Sequence, residues 1–360
     1  MKVLIANLIL YTNETPQIKK VDSIKDTMIY NLCLAFKNEG YDVTLAASDL
    51  YKPIKDENYP FKIVWLKTTH TSLFPPNVFP CCPDIKNLVK NNNFDLIISS
   101  EVFSLCSFFI AQTKAKNFII WQELAKHNNI FNQLASKIWY NFIARIMFKD
   151  TLIVPRSENA KTFISQYLNN VSDEIIDHGI NTKKFIAHPE KKNQLSICSQ
   201  LISRKQIDKS IKVFAKYLKK YNNTTKLYIM GDGDQKENLQ ALTKQLDIID
   251  NVIFTGKLAH DELISILGNS MAMLVYTNKD NNMVSIVESI ALATPIITTD
   301  VPYNSSYIKS NKLGIVKSNW NEDDLSTIAS DKQYINNCLK YRKTLPCEYK
   351  VKQFINIYNQ

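Results

Sequence analysis

Residues 195–230 read LSICSQLISRKQIDKSIKVFAKYLKKYNNTTKLYIM. An apolar run opens the stretch, a segment with Ile207, Ile211, Phe214 and Leu218 at helical spacing follows, and KLYIM closes it as a second apolar run. That order is strand, helix, strand, and two strands joined through a helix lie parallel. The pattern continues downstream through a helix at 234–246, strand NVIF, a helix at 260–268, strand AMLVY and a helix at 283–293 to strand PIITT. It also runs upstream, through KVLIAN, a helix near 21–39, VTLAAS, FKIVWL, DLIISS, FIIW, a long helical stretch near 130–149 and TLIV. The expected fold class is therefore α/β, with two doubly wound domains whose parallel sheets are covered by helices on both faces. The polar segment HPEKKNQ, residues 188–194, contains Pro189 and is read as the linker. Domains are accordingly expected at 1–187 and 195–335, with a helical C-terminal segment at 336–360.

The chain of 360 residues is long enough for two cores, and its 45% hydrophobic and 22% charged content is that of a folded protein. Its longest dense apolar run, Phe103 to Ala111, is far too short for a bilayer, and MKVLIANLIL reads as a first strand rather than an export signal. Seven cysteines are scattered, with only Cys81 and Cys82 adjacent, and the five histidines form no metal-ligand spacing, so neither disulfides nor a protein-held metal is expected. The net charge of +10 points to anionic partners. Residues 1–190 carry 21 basic and 18 acidic side chains and 191–360 carry 23 and 16, so most of the excess lies in the second half. Nucleic acid is not an expected partner, because no recognition motif accompanies this charge and Lys209, Lys212, Lys216, Lys219 and Lys220 read as a solvated helix face.

In such sheets ligands bind beyond the carboxyl ends of the strands, so the loops there carry the candidate residues. Gly231 and Gly233 of LYIMGDGD form a tight turn rather than a dinucleotide fingerprint, since no third glycine follows. Arg204 and Lys205 stand just before a helix, where cations and unpaired helix amides can meet a phosphate. In DNNMVSIVESIALATP, residues 280–295, Asp280 lies in the loop and Glu288 a turn or more inside the following helix. A helix start suits a diphosphate, and a carboxylate suits vicinal hydroxyls because each oxygen can accept one. Glu288 has apolar neighbours Ile286, Val287, Ile290 and Ala291, so it needs a polar partner.

SQLISRKQID, LYIMGDGD, DNVIFTGKL, DHGINTKKF and residues 280–295 together resemble the retaining glycosyltransferases of family 4, which have the two-domain GT-B fold with two Rossmann-like domains facing a cleft. The resemblance covers most of the chain and is strongest from about residue 151 onward. It implies a transferase that moves a sugar from a nucleotide-sugar donor, UDP- or GDP-linked, with no cofactor held by the protein. Glu288 would bind the ribose, Asp280 the donor sugar, the backbone at Asn282, Met283 and Val284 the diphosphate, and Lys205 the phosphate. Gln200 stands where the family has Arg, and Arg204 lies close by to compensate. Lys257 and Leu258 align with the loop that meets the nucleobase, and Gly231 joins the donor site. Glu123 stands near the family's frequent His and takes a sugar-contact role, while His127 is expected to face solvent. Asp280 replaces the family's first Glu, and the loop NETPQIKKVDS after the first strand lacks the family's glycines. PRSE, residues 155–158, implies a helix capped by Ser157, and Gly179 in HGIN a tight bend between domains.

By the same resemblance the first domain is the acceptor side, the second binds the nucleotide sugar, and the C-terminal helix crosses back to the first. The acceptor would be a glycan or a lipid-linked molecule in surface polysaccharide or lipopolysaccharide synthesis, handled in the cytoplasm at the inner face of a membrane. KIWYNFIARIMFK, residues 137–149, is basic and aromatic; it reads first as a packed domain helix and second as a contact with an anionic membrane surface. A sugar-nucleotide epimerase of related fold and a non-catalytic nucleotide-sugar-binding protein remain as alternatives.

Overall fold

The structure is a computed structural model that describes residues 1–11, 17–128, 132–221, 224–280 and 282–359. Residues 13–16 of the glycine-poor loop, and Asn281, lie outside them. Two compact units result, one of Met1–Ile180 with Cys347–Gln360 and one of Asn181–Pro346.

The first unit holds strands β1 (Lys2–Ala6), β2 (Asp42–Ser48), β3 (Lys62–Leu66), β4 (Leu96–Ser100), β5 (Phe118–Gln122) and β6 (Leu152–Pro155). The second holds β7 (Gln194–Cys198), β8 (Lys226–Met230), β9 (Val252–Gly256), β10 (Met273–Val275), β11 (Ile296–Thr298) and β12 (Gly314–Val316). Their orders are β3-β2-β1-β4-β5-β6 and β12-β11-β10-β7-β8-β9, every pairing parallel. Counted within each unit, the two orders are the same, and each reverses direction beside its first strand. The doubly wound α/β class expected from the alternating pattern is thus the observed one.

Alternation along β1 sends Val3 and Ile5 to one face of its sheet and Leu4 and Ala6 to the other, and both faces are covered. The C-terminal helix Cys347–Tyr358 closes the first of these faces. Its Phe354 lies 5.5 Å from Trp121 and 6.2 Å from Phe36, ring centroid to centroid. Gly179 is required here by packing: a Cβ on it would stand 2.8 Å from Cys347 Cα. The expected reason, a tight bend, is replaced by this close approach.

The units part after Ile180, not at 188–194. Those polar residues are fastened to the second unit: Lys191 Nζ donates to Gly268 O, Leu292 O and Thr294 Oγ1 at 2.7, 3.1 and 3.0 Å. Helix Lys332–Tyr341 also stays with the second unit, where Arg342 after it donates to Ala291 O and Phe185 O. Only the chain from Cys347 onward returns to the first, so the expected C-terminal segment 336–360 begins about one helix too early. Strand β12 went unread because it buries only Ile315, whereas the equally short β10 and β11 are buried along their whole length.

Phe354→Ala is expected to lower the stability of the first unit by about 3–5 kcal/mol, the cost of a large cavity in a packed core. Denaturant unfolding followed by Trp121 fluorescence checks it, and an unchanged midpoint would show that the C-terminal helix contributes little.

Candidate active site

Where the order of a doubly wound sheet reverses, the loops leaving the two adjacent strands diverge and open a crevice at their carboxyl ends. In the second unit those strands are β7 and β10. After β7 the chain forms a short turn at Ser203–Lys205, then Gln206 takes the left-handed conformation (φ 43°) and starts helix Ile207–Lys220. After β10 the loop runs to Asp280. The loops are tied together by Asn278 N–H donating to Arg204 O at 2.9 Å.

Lys205 and Asp280 meet there. Lys205 Nζ, buried, donates to Asp280 Oδ1 at 2.9 Å and Oδ2 at 2.8 Å. Arg204 Nη1 donates to Asp280 Oδ1 at 3.0 Å and Lys279 O at 2.8 Å, and Thr277 Oγ1 donates to Asp280 Oδ2 at 2.6 Å. Burial would raise the Asp280 carboxyl, but the hydrogen bonds from Lys205, Thr277 and Arg204 outweigh it and hold the group below its ordinary range. Two cations are therefore gathered on one internal carboxylate.

Glu288 has a different partner. It lies in helix Val284–Ala291, and its Oε1 stands 3.0 Å from Nε2 of the half-exposed His260, which the sequence reading missed. His260 opens the helix His260–Asn269, about thirty residues away in sequence, so no local spacing signals the pair. Cys198, the last residue of β7, lies near both Glu288 and Lys205: burial pushes its thiol up to about 12, Glu288 adds to the rise and Lys205 opposes it. Both charged groups thus act on the same strand end.

At the start of the Glu288 helix, the Met283 N–H donates to Asn304 Oδ1 at 2.6 Å. That amide, expected to meet a diphosphate, is held by Asn304 in this structure; Val284, which follows, is exposed. Asn282 Nδ2 is buried with no hydrogen-bond partner among the described residues, and so are Ser199 Oγ after β7 and Thr298 Oγ1 and Thr299 Oγ1 at the end of β11. A buried polar atom left unpaired costs about 1–3 kcal/mol, so these strand ends are built to meet a polar ligand or water. Gln200 is exposed, and its carbonyl accepts from Ile202 N–H at 3.0 Å. Gly231 adopts φ 137°, and a Cβ there would lie 1.9 Å from Ser199 O, so its glycine serves the contact between the loops after β7 and β8. Lys257, exposed, and Leu258, half-buried, follow the edge strand β9, two strands from β7.

In the first unit Glu123 follows β5. Its Oε2 stands 3.0 Å from Arg156 Nη1 and 3.4 Å from His178 Nε2. Burial opposes its ionisation, but His178 and Arg156 together hold it at about 2. Arg156 is itself buried, lies 3.6 Å over the Trp121 ring and donates to Ser100 Oγ at 3.1 Å. Glu101, with φ 70°, accepts from the Glu123 and Leu124 amides at 2.9 and 3.1 Å. Burial, with the Glu123 charge beside it, pushes Glu101 up to about 7 against the pull of Arg156. Glu123 is thus a member of an internal ion cluster with Glu101, Arg156 and His178, three residues the sequence reading did not join to it. His127 does not face solvent: Ser136 Oγ and Tyr167 OH stand 3.1 Å from its two ring nitrogens, and Tyr140 and Phe163 pack around the ring. Ser157 caps its helix through the Ala160 N–H at 3.1 Å.

Two Rossmann-like units, the second with paired cations at its switch point, define the class: this is the GT-B fold. Residues 180–330 match the family described as "Glycosyl transferases group 1", so the second unit carries the likeness to a glycosyltransferase domain. Alpha-monoglucosyldiacylglycerol synthase of Streptococcus pneumoniae is 27% identical over 194 residues, covering 49% of this chain and 43% of that protein. An uncharacterized glycosyltransferase of Haemophilus influenzae is 25% identical over 271 residues, 74% of each chain. The chain therefore spans less than half the length of the pneumococcal relative. Among solved structures, HepE of Anabaena in complex with UDP has a TM-score of 0.68 at 12% identity, each chain covered in full, and the apo form of the lipopolysaccharide outer core galactosyltransferase WaaB has 0.67 at 14%, with 99% of each covered. At these identities the likeness shows the fold.

Because Glu101 rises from 4.5 to about 7, the native protein takes up a proton there that the unfolded chain lacks. Its stabilising share is complete below about pH 4.5 and is lost as pH rises through 7. Glu101→Gln removes this linkage, so its stability relative to wild type should climb across that window. Urea melts at several pH values check it; a difference between the two proteins that stays flat with pH counts against the assignment.

Proposed function

We propose that the chain is a retaining glycosyltransferase that moves a sugar from a UDP- or GDP-sugar to a glycan or lipid-linked acceptor in surface polysaccharide or lipopolysaccharide synthesis. One observation carries the reading: within the matched domain, Lys205 and Arg204 converge on Asp280 at the β7/β10 switch point. Cations held at a strand-end crevice serve a leaving diphosphate, whose charge grows as its bond to the anomeric carbon breaks. The electron pair of that bond goes to the diphosphate, while the acceptor hydroxyl forms the new bond on the same face and gives up its proton to the departing phosphate oxygen. Lys205 and Arg204 stabilise the departing group without reorganising, because the loop already fixes them.

An incoming diphosphate competes with Asp280 for the same donors. Once displaced, the Asp280 carboxylate can accept hydrogen bonds from the donor sugar, so phosphate binding and sugar recognition are coupled. Glu288 keeps Oε2 for the ribose while His260 steadies Oε1. The orphaned Asn282 and Ser199 groups complete the polar lining. Gln200 adds a neutral amide where a guanidinium would bind more tightly, and Arg204 supplies that charge from four residues on. Gly231, Lys257 and Leu258 belong to the nucleotide side of this reading. Glu123 supports the acceptor-side loop through its ion cluster.

Thermal-shift screening with UDP, GDP, ADP and their sugar conjugates tests the donor site, and a melting temperature that none of them raises would overturn it. Nucleotide release that requires an acceptor marks a transferase, whereas interconversion of the donor without one marks an epimerase. Glu288→Ala is expected to abolish the nucleotide shift. In turnover assays Lys205→Ala should lower kcat by about two to three orders of magnitude, the usual cost of losing one group that stabilises transition-state charge; a rate near wild type would remove Lys205 from the mechanism.

A further inference from the structure

The segment from Leu134 to Lys149 departs from a plain domain helix. It begins as an α-helix at Leu134–Ile138, widens to i→i+5 bonding across Trp139–Ala144 and ends with Arg145–Met147. Its inner face is fixed: Trp139, Tyr140, Ala144 and Phe148 are buried, and Trp139 Nε1 donates to Val102 O at 2.8 Å. On the outer face Leu134, Ile138, Phe142 and Ile146 are 60, 47, 66 and 73% exposed. In a regular α-helix a row of every fourth residue drifts around the axis by ~40° per step. A wider turn advances less per residue and offsets that drift, so the four side chains stay in one file.

They are four of the 13 large hydrophobic side chains exposed among the described residues, gathered in a single segment. That is a patch, where scattered exposure would need no explanation. Lys137 and Arg145, beside the file, and Lys149, at its end, are exposed, and residues 134–149 contain no Asp or Glu. The first acid is Asp150, 3.8 Å from Lys149.

We propose that this outer face docks on an anionic lipid surface. The file is too narrow for a stable protein interface, which needs roughly 800 Å² on each partner. Four apolar side chains between cations with long flexible stems instead suit shallow insertion among lipid headgroups, with the charges in the phosphate layer. Charge selects the lipid: three cations against the single Asp150 leave a net positive edge, which favours an anionic surface over a zwitterionic one. Docking requires neither donor nor acceptor, so it stands or falls separately from the transferase reading.

Co-sedimentation of the full chain with vesicles tests it, comparing phosphatidylcholine alone with an equal mixture of phosphatidylglycerol and phosphatidylcholine. Binding to the mixed vesicles, absent on phosphatidylcholine and weakened by salt, is the expected result. Phe142→Ser with Ile146→Ser should remove it. Lys137→Gln, Arg145→Gln and Lys149→Gln together should weaken partitioning about a hundredfold, at about fivefold for each cation. Circular dichroism and melting temperature of both variants should match wild type, since every altered side chain is exposed. Equal binding to both vesicle types, or no loss in either variant, overturns the proposal. So does absence of vesicle binding together with a dimer that Phe142→Ser with Ile146→Ser disperses, which would assign the face to a second copy of the chain.

Discussion

A parallel sheet whose winding reverses leaves a crevice that the protein must line with polar groups, because the two loops leaving its adjacent strands diverge. Each unit meets this constraint with charge. In the second unit Lys205 is buried beside β7, and a buried ammonium must be paired. Asp280, arriving from β10, supplies both of its oxygens. The two loops are thereby joined across 75 residues of sequence by this ion pair together with the Asn278 N–H bond to Arg204 O, and Arg204 and Thr277 complete the shell around Asp280. Such a pair costs desolvation on both sides and is weak evidence of a stability role. Its position at the switch point gives it another meaning, as a pair of cations kept in place by a carboxylate that an anionic ligand can replace.

The first unit lines the same edge of its sheet differently. Arg156 is shared between Glu123 and the Glu101 site, stacked on Trp121 and bonded to Ser100. One guanidinium facing two half-buried carboxyls cannot satisfy both equally, and the environment separates them: Glu123, with His178 beside it as well, stays ionised, whereas Glu101 is pushed toward neutrality. The cluster ties together the loops after β4 and β5.

The exposed file at 134–149 belongs to the same unit and contrasts with that cluster. There the chain hides its aromatic groups, Trp139 and Tyr140, and leaves four aliphatic and aromatic side chains in solvent. Apolar exposure of this kind opposes solubility unless a surface covers it.

Much of this protein was legible in its sequence, because helical and strand periods are local. The alternation around residues 195–230 and beyond it establishes parallel strands and two doubly wound sheets; the loops after the strands hold Lys205 and Asp280, and Glu288 lies in the helix that follows. Those positions follow from where the period stops. What the sequence could not supply were partners separated by long stretches of chain: His260 for Glu288, Arg156 and His178 for Glu123, Asn304 for the Met283 amide. Each pair is brought together by strand order, which no local period encodes. The same reason explains the domain boundary, since Pro189 and its polar neighbours look like a linker until Lys191 is seen bonded to the second unit. Composition made residues 137–149 basic and aromatic, but only packing decided which of those side chains face the core and which form a line in solvent.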